Sequence, residues 1–447
     1  MTSINFNPSS SNSGSGLDVT AVVDQILYAE RAPQRLWQQQ QARFSAQATA
    51  LSNLNSNLTG LKDKVNALKD LSGAITAKAA ASSDTSVVTA SVEPNAPSGV
   101  HLVTVTSLAT TSSYYTDPLT SSTDPLATGS FSLKVGSANA VLITVDGSNN
   151  TLDKLAAHIN GQNLGVNASV IRDANGARLA LVSQSTGSTG DLSITGDTTG
   201  LGFHKSSAGV NASLSVDGVP VSSASNTVIG VLEGVTLNLT GAAPTRSVSL
   251  TVRPDSGRAS AAVKDFVAAY NAAVGAINAQ FTYNPATTSA APLAANSSLR
   301  ALQASLLADV TYSISGNNGL VNLASLGVNM NNDGTLTVDS PELDGVLANH
   351  FADFQNFFQS AAPSGFARHF GADLIMLTDS TQGILNLNLK ENSSNQRALG
   401  DQIAELEDRL VLRKQQLVDQ YSRIDIMLRQ LPLLQSQISG QLAGLMK

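Results

Sequence analysis

Residues 37–75 read WQQQQARFSAQATALSNLNSNLTGLKDKVNALKDLSGAI, and the spacing of the apolar side chains in this stretch decides the fold. One series of residues recurs every seven positions and consists of Trp37, Phe44, Leu51, Leu58 and Val65. A second series, offset from the first by three positions, consists of Gln40, Gln47, Leu54, Leu61, Leu68 and Ile75. Together they predict a long helix that packs lengthwise against another helix. An amphipathic helix lying on a globular core remains an alternative interpretation.

A shorter helix is predicted ahead of this stretch. Asp18 can cap a helix over residues 19–30, where apolar side chains recur with the helical period, and Pro33 predicts a break after it. The tract from Met1 to Gly16 is rich in Ser, Asn and Gly, so we expect it to be disordered. It has neither the positive start nor the apolar block of a secretory signal.

The C-terminal end carries a second seam of the same kind. A long helix is predicted from about Gln396, and Pro432 is expected to kink it. Its seam consists of Leu399, Ile403, Leu406, Leu410, Leu417, Tyr421, Ile424, Leu428, Leu431, Ile438, Leu442 and Leu445. Because both ends of the chain carry such seams, we expect the two terminal segments to pair in antiparallel fashion.

The middle of the chain changes from a helical period to alternation with period two. From about residue 84 to residue 252, short alternating runs are separated by turn pairs such as Asn175-Gly176 and Asp217-Gly218, which predicts antiparallel hairpins. One short helix, over residues 152–159, interrupts them. Beyond the strands, the periodicity predicts helices over residues 259–279, 297–312 and 341–359, with a hairpin over residues 326–338.

The composition excludes several classes of function. Charged residues make up 13% of the 447 residues and the net charge is −7, which argues against nucleic-acid binding. The chain has no cysteine, so disulfides, thiol catalysis and cysteine-ligated metals are excluded. It also lacks a run of about 18 apolar residues, so no insertion into a membrane is expected.

No residue pattern typical of an enzyme is found. The five histidines, none of which is linked to another by metal-ligand spacing, are His101, His158, His204, His350 and His369. Asn329, Asn331, Asp333 and Gly334 resemble the start of a calcium loop, but Ser340 stands at the twelfth position, where a glutamate is required, so a turn between strands is predicted instead. We therefore predict no catalytic, cofactor-binding or metal-binding residues, and no cofactor.

Five stretches of the chain, taken in order, are similar to one known family. They are SGLDVTAVVDQILYAERAP (15–33), VNASVI (166–171) with RLALVS (178–183), SNTVIGVLEGVTLNL (225–239), SLGV (325–328) with NDGTL (332–336) and the following phenylalanines (351, 354, 357 and 358), and QYSRID (420–425). The chain resembles the flagellar hook-associated protein 2 family, the caps of bacterial flagellar filaments. Pro432 departs from the pattern of this family, and the resemblance therefore does not imply that the last helix is straight.

The resemblance implies a structural role outside the cell. Several copies are expected to form a ring at the distal tip of the flagellum, which retains exported flagellin and promotes its folding and polymerisation. The implied partners are flagellin, further copies of this chain, the hook–filament junction proteins, and the flagellar export apparatus with its chaperone. Export by that apparatus needs no cleaved signal peptide.

The periodicities and the resemblance together predict an α+β multidomain fold. It is a discontinuous helical stem with terminal coiled-coil segments and two inserted antiparallel β-rich domains. The expected divisions are residues 1–40 with 400–447 for the leg, 41–83 with 258–399 for the helical stem domain, 84–130 with 207–257 for an inner β domain, and 131–206 for an outer β domain.

The seams are the predicted interface with sister subunits or with the filament, and their side chains are expected to stay partly exposed in a lone subunit. The predicted interface residues are Trp37, Phe44, Leu51, Leu54, Leu58, Leu61, Val65, Leu68, Ile403, Leu406, Leu410, Leu417, Tyr421, Ile424 and Leu428. Two other functions remain open from the sequence. One is a surface adhesin whose β domains bind host glycans or mucin, and the other is a secreted polysaccharide hydrolase, although the strands carry few acidic residues.

Overall fold

A computed structural model describes residues 17–284, 289–360 and 365–445 of the chain. The tract from Met1 to Gly16, predicted to be disordered, lies outside these residues. The fold is α+β and multidomain, as predicted, with helices at both ends of the described part and antiparallel sheets between them. In the part of the chain that the structure describes, no helix combines the length and apolarity needed to cross a membrane.

The two N-terminal helices are those that the sequence predicts. Helix α1 spans Val19–Glu30, and the Asp18 carboxylate caps it by accepting a hydrogen bond from Ala21 N at 3.0 Å. Helix α2 spans Ala32–Lys69, and Pro33 lies in its first turn, where a missing N–H costs no helical hydrogen bond. Because α2 ends at Lys69, the last member of the second series, Ile75, is buried beyond the helix rather than on it.

The strands of the first β-rich cluster come from two separate stretches of the chain. They are β1 (Lys78–Ser82), β2 (Val88–Val92), β3 (Gly99–Ser107), β11 (Ala212–Val216), β12 (Val219–Ser223), β13 (Thr227–Leu232), β14 (Val235–Leu239) and β15 (Val248–Pro254). They form a five-stranded sheet, β1-β15-β3-β11-β12, and a three-stranded sheet, β13-β14-β2, which share one hydrophobic core. The β11–β12 hairpin turns at Asp217 and Gly218, both with positive φ, as the sequence predicts.

The second β-rich cluster is continuous in sequence. Its elements are β4 (Thr111–Tyr115), β5 (Gly129–Val135), β6 (Val141–Val145), α3 (Leu152–Gly161), β7 (Val166–Asp173), β8 (Gly176–Thr186), β9 (Leu192–Thr195) and β10 (His204–Ser207). The sheets β10-β4-β8-β7 and β6-β5-β9 enclose a core with α3. Strand β4 pairs with β8, so the predicted division at residue 130 separates β4 from the strands that it contacts. The division into domains stays a prediction.

The remaining elements build what we call the helical core. They are α4 (Ser256–Ala279), the short pair β16 (Tyr283–Asn284) and β17 (Ser289–Ala290), α5 (Ser297–Val310), the hairpin β18 (Val328–Met330) and β19 (Leu336–Val338), α6 (Ser340–Asn349), α7 (Phe351–Gln359), α8 (Phe366–Thr378) and α9 (Ile384–Leu445). Side chains of α2, α4 to α8 and the start of α9 share one hydrophobic cluster. Edge-to-face pairs of Phe266 with Phe366 and Phe370 lie inside it.

Two helical predictions are wrong in their limits. The single helix predicted over residues 341–359 is divided at His350, whose φ of −132° is not helical. Just before it, the Asn349 side chain donates to Gly345 O at 3.0 Å, a local bond that competes with continuation of the helix. The C-terminal helix begins at Ile384 rather than near Gln396, and α8 lies in a stretch for which no helix was predicted. Helix α9 continues through Pro432, and a kink there stays a prediction.

Candidate assembly surface

Helix α1 lies against the distal part of α9. Val23 and Leu27 of α1 are buried against Leu410 and Leu417 of α9 in a small cluster of their own. Ahead of α1, Leu17 N donates to the Asp425 carboxylate at 2.8 Å. Early residues of α1 therefore face late residues of α9, which makes the pair antiparallel.

Polar contacts extend the same pairing toward the helical core. Arg31 and Gln34 both donate to the Glu407 carboxylate, at 3.1 Å and 2.6 Å. The hydrogen bond from Gln34, and then that from Arg31, hold the pKa of Glu407 below its usual range. Further along, Gln41 Nε2 donates to Gln396 O at 3.4 Å. The predicted antiparallel pairing of the two terminal segments is confirmed.

Beyond Asp425, α9 continues without a partner among the described residues. Every residue from 426 to 442 is exposed. We call this stretch the exposed end of α9. Its exposed large apolar side chains are those of Ile426, Met427, Leu431, Leu433, Leu434, Ile438 and Leu442, together with Leu428. Scattered apolar residues are normal on a surface, but a continuous apolar run along one helix marks a contact site.

The structure separates the predicted interface residues into three groups. Six of them are fully buried in the helical core, namely Leu51, Leu54, Leu58, Leu61, Val65 and Leu68. Leu410 and Leu417 are buried under α1, with Leu406 and Tyr421 beside them. Trp37, Phe44 and Ile403 are half-buried, whereas Ile424 and Leu428 are 37% and 38% exposed.

The expected partial exposure of the α2 seam is therefore wrong from Leu51 onward. Helices α4 and α8 and the start of α9 lie along that side of α2, and their apolar side chains take the place that a sister subunit was expected to fill. Heptad spacing predicts that a helix has a partner but does not tell whether the partner belongs to the same chain.

The predicted interface also leaves out most of the exposed end of α9. Leu431, Ile438 and Leu442 belong to the C-terminal seam, and Met427, Leu433 and Leu434 widen the apolar surface beyond it. The signal was present in the sequence, because apolar residues occupy more than one side of the helix after Ile424.

Two of the chemical interpretations have clear structural outcomes. Asp333 lies in the turn between β18 and β19, where its carboxylate accepts hydrogen bonds from Thr335 N and Thr335 Oγ1, so the turn interpretation is confirmed. His369, which the spacing of histidines did not distinguish, lies near Asp309 and Asp373 in a group that could hold a metal ion. The spacing of four residues between His369 and Asp373 was the available signal in the sequence. It indicates two ligands on one face only if the segment is a helix, and helix α8 was not predicted.

The fold and the surface together define a class of protein. It is a helical stem with inserted β-rich clusters, and its last helix carries an apolar surface that no other described residue covers.

Comparison with known proteins narrows that class to one family. The sequence profile of the flagellar hook-associated protein 2 N-terminus matches residues 15–112, and that of the C-terminus matches residues 209–432. A profile described as the flagellin hook IN motif matches residues 130–185. The B-type flagellar hook-associated protein 2 of Pseudomonas aeruginosa is 30% identical over 89% of both chains. The corresponding protein of Escherichia coli is 26% identical over 96% of both chains.

A solved structure agrees with the sequence comparisons. The crystal structure of the flagellar cap protein FliD D1-D2-D3 domains from Escherichia coli matches with a TM-score of 0.61 and 26% identity, over 77% of this chain and 99% of that chain. The chain belongs to the flagellar hook-associated protein 2 family, the FliD flagellar cap proteins. This family is that of a structural flagellar cap protein and is not known as an enzyme. The comparisons give the adhesin alternative no support.

Proposed function

We propose that this chain caps the distal tip of the flagellar filament as a homo-oligomeric ring. There it retains exported flagellin and promotes its folding and polymerisation. The exposed end of α9 carries the proposal, because it offers a long apolar helical surface that nothing else in the described part of the chain covers. Membership of the family supports the flagellar setting.

The exposed end of α9 is the surface that we assign to neighbouring helices. Burying one large aliphatic side chain contributes about 1.5–3 kcal/mol, so several such side chains together can offset the loss of translational and rotational freedom on association. Among the residues predicted from the seams, Leu428 lies on this surface and the exposed Ile424 lies just before it, whereas Trp37, Phe44 and Ile403 are half-buried nearer the helical core. The six buried α2 residues act inside the subunit by holding the helical core together.

Further partners follow from the family relationship and belong to the same proposal. The chain is expected to travel through the flagellar export apparatus with a chaperone, without a cleaved signal peptide, and to be positioned on the hook–filament junction proteins. The absence of cysteine suits a chain that folds after passage through a channel, because no disulfide has to form afterwards.

Complementation of a bacterium that lacks its own cap protein tests the proposal. The test variant replaces Leu431, Leu434 and Ile438 by serine, and the matched control replaces the polar neighbours Gln430, Gln435 and Gln437 by serine in the same segment. We expect the test variant to be exported and folded, but to leave swimming abolished and flagellin monomers in the medium. The control should restore swimming.

Two results would contradict the proposal. One is normal swimming by the serine variant of the three apolar residues, and the other is equal loss of swimming in the control. The amount of exported cap protein is measured in each strain, because poor export alone would also abolish filament growth.

A further inference from the structure

A carboxylate inside the helical core has no hydrogen-bond partner. Asp309, near the end of α5, is 1% exposed, and neither of its carboxylate oxygens has a hydrogen-bond partner among the described residues. Burial, and beyond it the charge of Asp373, raises the pKa of Asp309 to about 8. Burying a charged carboxylate away from water without a hydrogen-bond donor costs free energy. Such a group is therefore expected to bind a proton or a cation.

Two further ligand-bearing side chains face Asp309 from α8. His369 and Asp373 are four residues apart on that helix and therefore lie one above the other on one face. One ligand atom from each of the three residues lies within 4.8 Å of the others, and His369 Nε2 is 3.6 Å from Asp309 Oδ1. Ligands of a tetrahedral zinc ion lie about 3.4 Å apart, so modest side-chain rotations bring the three atoms to coordination distance.

The surroundings hold the imidazole and leave it a path to solvent. The Tyr312 ring stacks on the His369 ring with centroids 4.0 Å apart and planes inclined by 15°. This contact restricts rotation of the imidazole. The His369 side chain is 37% exposed while Asp309 is buried, so an ion can enter past the histidine and reach the carboxylate.

We propose that Asp309, His369 and Asp373 bind one divalent transition-metal ion, and that Zn²⁺ fits them best. One imidazole nitrogen with two carboxylate oxygens is a donor set that zinc accepts, whereas magnesium and calcium prefer oxygen ligands alone. The three side chains leave a fourth position for water. The ion neutralises the two facing carboxylates and ties α5 to α8. This site is independent of the proposed capping surface on α9.

Other histidine–aspartate pairs in the chain lack these features. His204 Nε2 lies 2.9 Å from Asp117 Oδ1, but both side chains are more than half exposed. Neither residue belongs to a group of three such ligands among the described residues. The His204 pair is therefore a matched control for a surface histidine that does not belong to the proposed site.

The test uses the full chain after removal of metals with a chelator. Zinc binding is measured by isothermal titration calorimetry and elemental analysis, and thermal unfolding is followed with and without Zn²⁺ or Mg²⁺. We expect the wild-type chain and His204→Gln to bind one Zn²⁺ per chain. At a hundredfold excess over the dissociation constant, Zn²⁺ should raise the unfolding temperature of the helical core by roughly 5–10 °C, and Mg²⁺ should not.

Two site variants decide the outcome. Asp309→Asn and His369→Gln should each weaken zinc binding at least tenfold and remove the thermal shift. Asp309→Asn is expected to fold, because the amide is neutral and has nearly the same shape as the carboxyl group that it replaces. Should it fail to fold, His369→Gln still tests the site, because the His369 side chain is partly exposed. Absence of zinc binding by the wild-type chain overturns the proposal. Wild-type affinity in the site variants, or an equal loss in His204→Gln, overturns it as well.

Discussion

Helix α2 and the exposed end of α9 carry similar apolar seams but occupy opposite environments. The α2 side chains from Leu51 to Leu68 are covered by helices of the same chain, whereas the α9 side chains from Ile426 to Leu442 are exposed. Between these extremes, Leu410 and Leu417 are covered by the short helix α1 alone. The comparison teaches that one sequence pattern can serve the interior of a subunit in one place and assembly between subunits in another.

The physical difference lies in how many elements converge on each seam. Several helices surround α2, so its seam is completed during folding of the single chain. Around the exposed end of α9 no other described element converges, so its seam can be completed only by a separate chain or by residues outside the described part.

The largest contrast is expected between Leu58→Ala and Leu431→Ala. Leu58 is fully buried, so its truncation leaves a cavity and should lower the free energy of unfolding by about 2–5 kcal/mol. Leu431 is 56% exposed, so the same truncation should change the free energy of unfolding by less than about 0.5 kcal/mol. Urea denaturation followed by circular dichroism measures both. Equal effects would mean that the two seams do not differ as described.

A smaller and local effect is expected at the junction of α1 and α9. Leu410→Ala opens a cavity under α1 and should weaken that contact by about 1–3 kcal/mol, without disturbing the distant helical core. Amide hydrogen exchange should become faster in residues 19–30 and stay unchanged in residues 51–68. Leu412→Ala, at a position 67% exposed, is the matched control and should change neither region. Faster exchange in both regions would show that α1 and the core unfold together.

The smallest effect concerns pH at Glu407. Because the folded chain holds the pKa of Glu407 below its usual range, this carboxylate stabilises the contact between α9 and the Arg31 and Gln34 side chains above pH 4.5. That contribution is lost as the pH falls through the lowered value. Protection factors of amides in residues 27–34, corrected for intrinsic exchange, should decrease modestly from pH 7 to pH 4. Glu407→Gln should flatten this dependence, whereas Glu405→Gln, on an exposed neighbour, should leave it unchanged.

Local signals in the sequence predicted much of the fold. Asp18 and Pro33 predicted where α1 begins and where it gives way to α2, because capping and proline effects depend only on nearby residues. The Asp217-Gly218 turn was predictable for the same reason. Antiparallel pairing of the terminal helices followed from two seams at opposite ends of one chain.

The parts that failed depend on distant contacts. Nothing near residues 51–68 in sequence reveals that α4, α8 and the start of α9 will cover this part of α2. The division at His350 was missed because no proline or glycine stands there to signal it. The group of Asp309, His369 and Asp373 was also missed. Helix α8, which carries His369 and Asp373, was not predicted, and Asp309 lies sixty positions before His369 in the sequence. Sequence reasoning therefore predicted the elements better than the neighbours that each element would acquire.

The length of helix α9 has a mechanical consequence. It spans 62 residues, so it is a rod about 93 Å long whose first turns are anchored at the buried Leu385 and whose far end is exposed. A lateral force on the far end of α9 therefore acts on the helical core through a long lever arm. Pro432 has no N–H to donate to the carbonyl of the preceding turn, so one helical hydrogen bond is missing there and the helix bends most easily at this point. Pro432 lies in the exposed end of α9, seven residues past the contact of Asp425 with Leu17. The far end can therefore bend toward a neighbour while the anchored portion stays stiff.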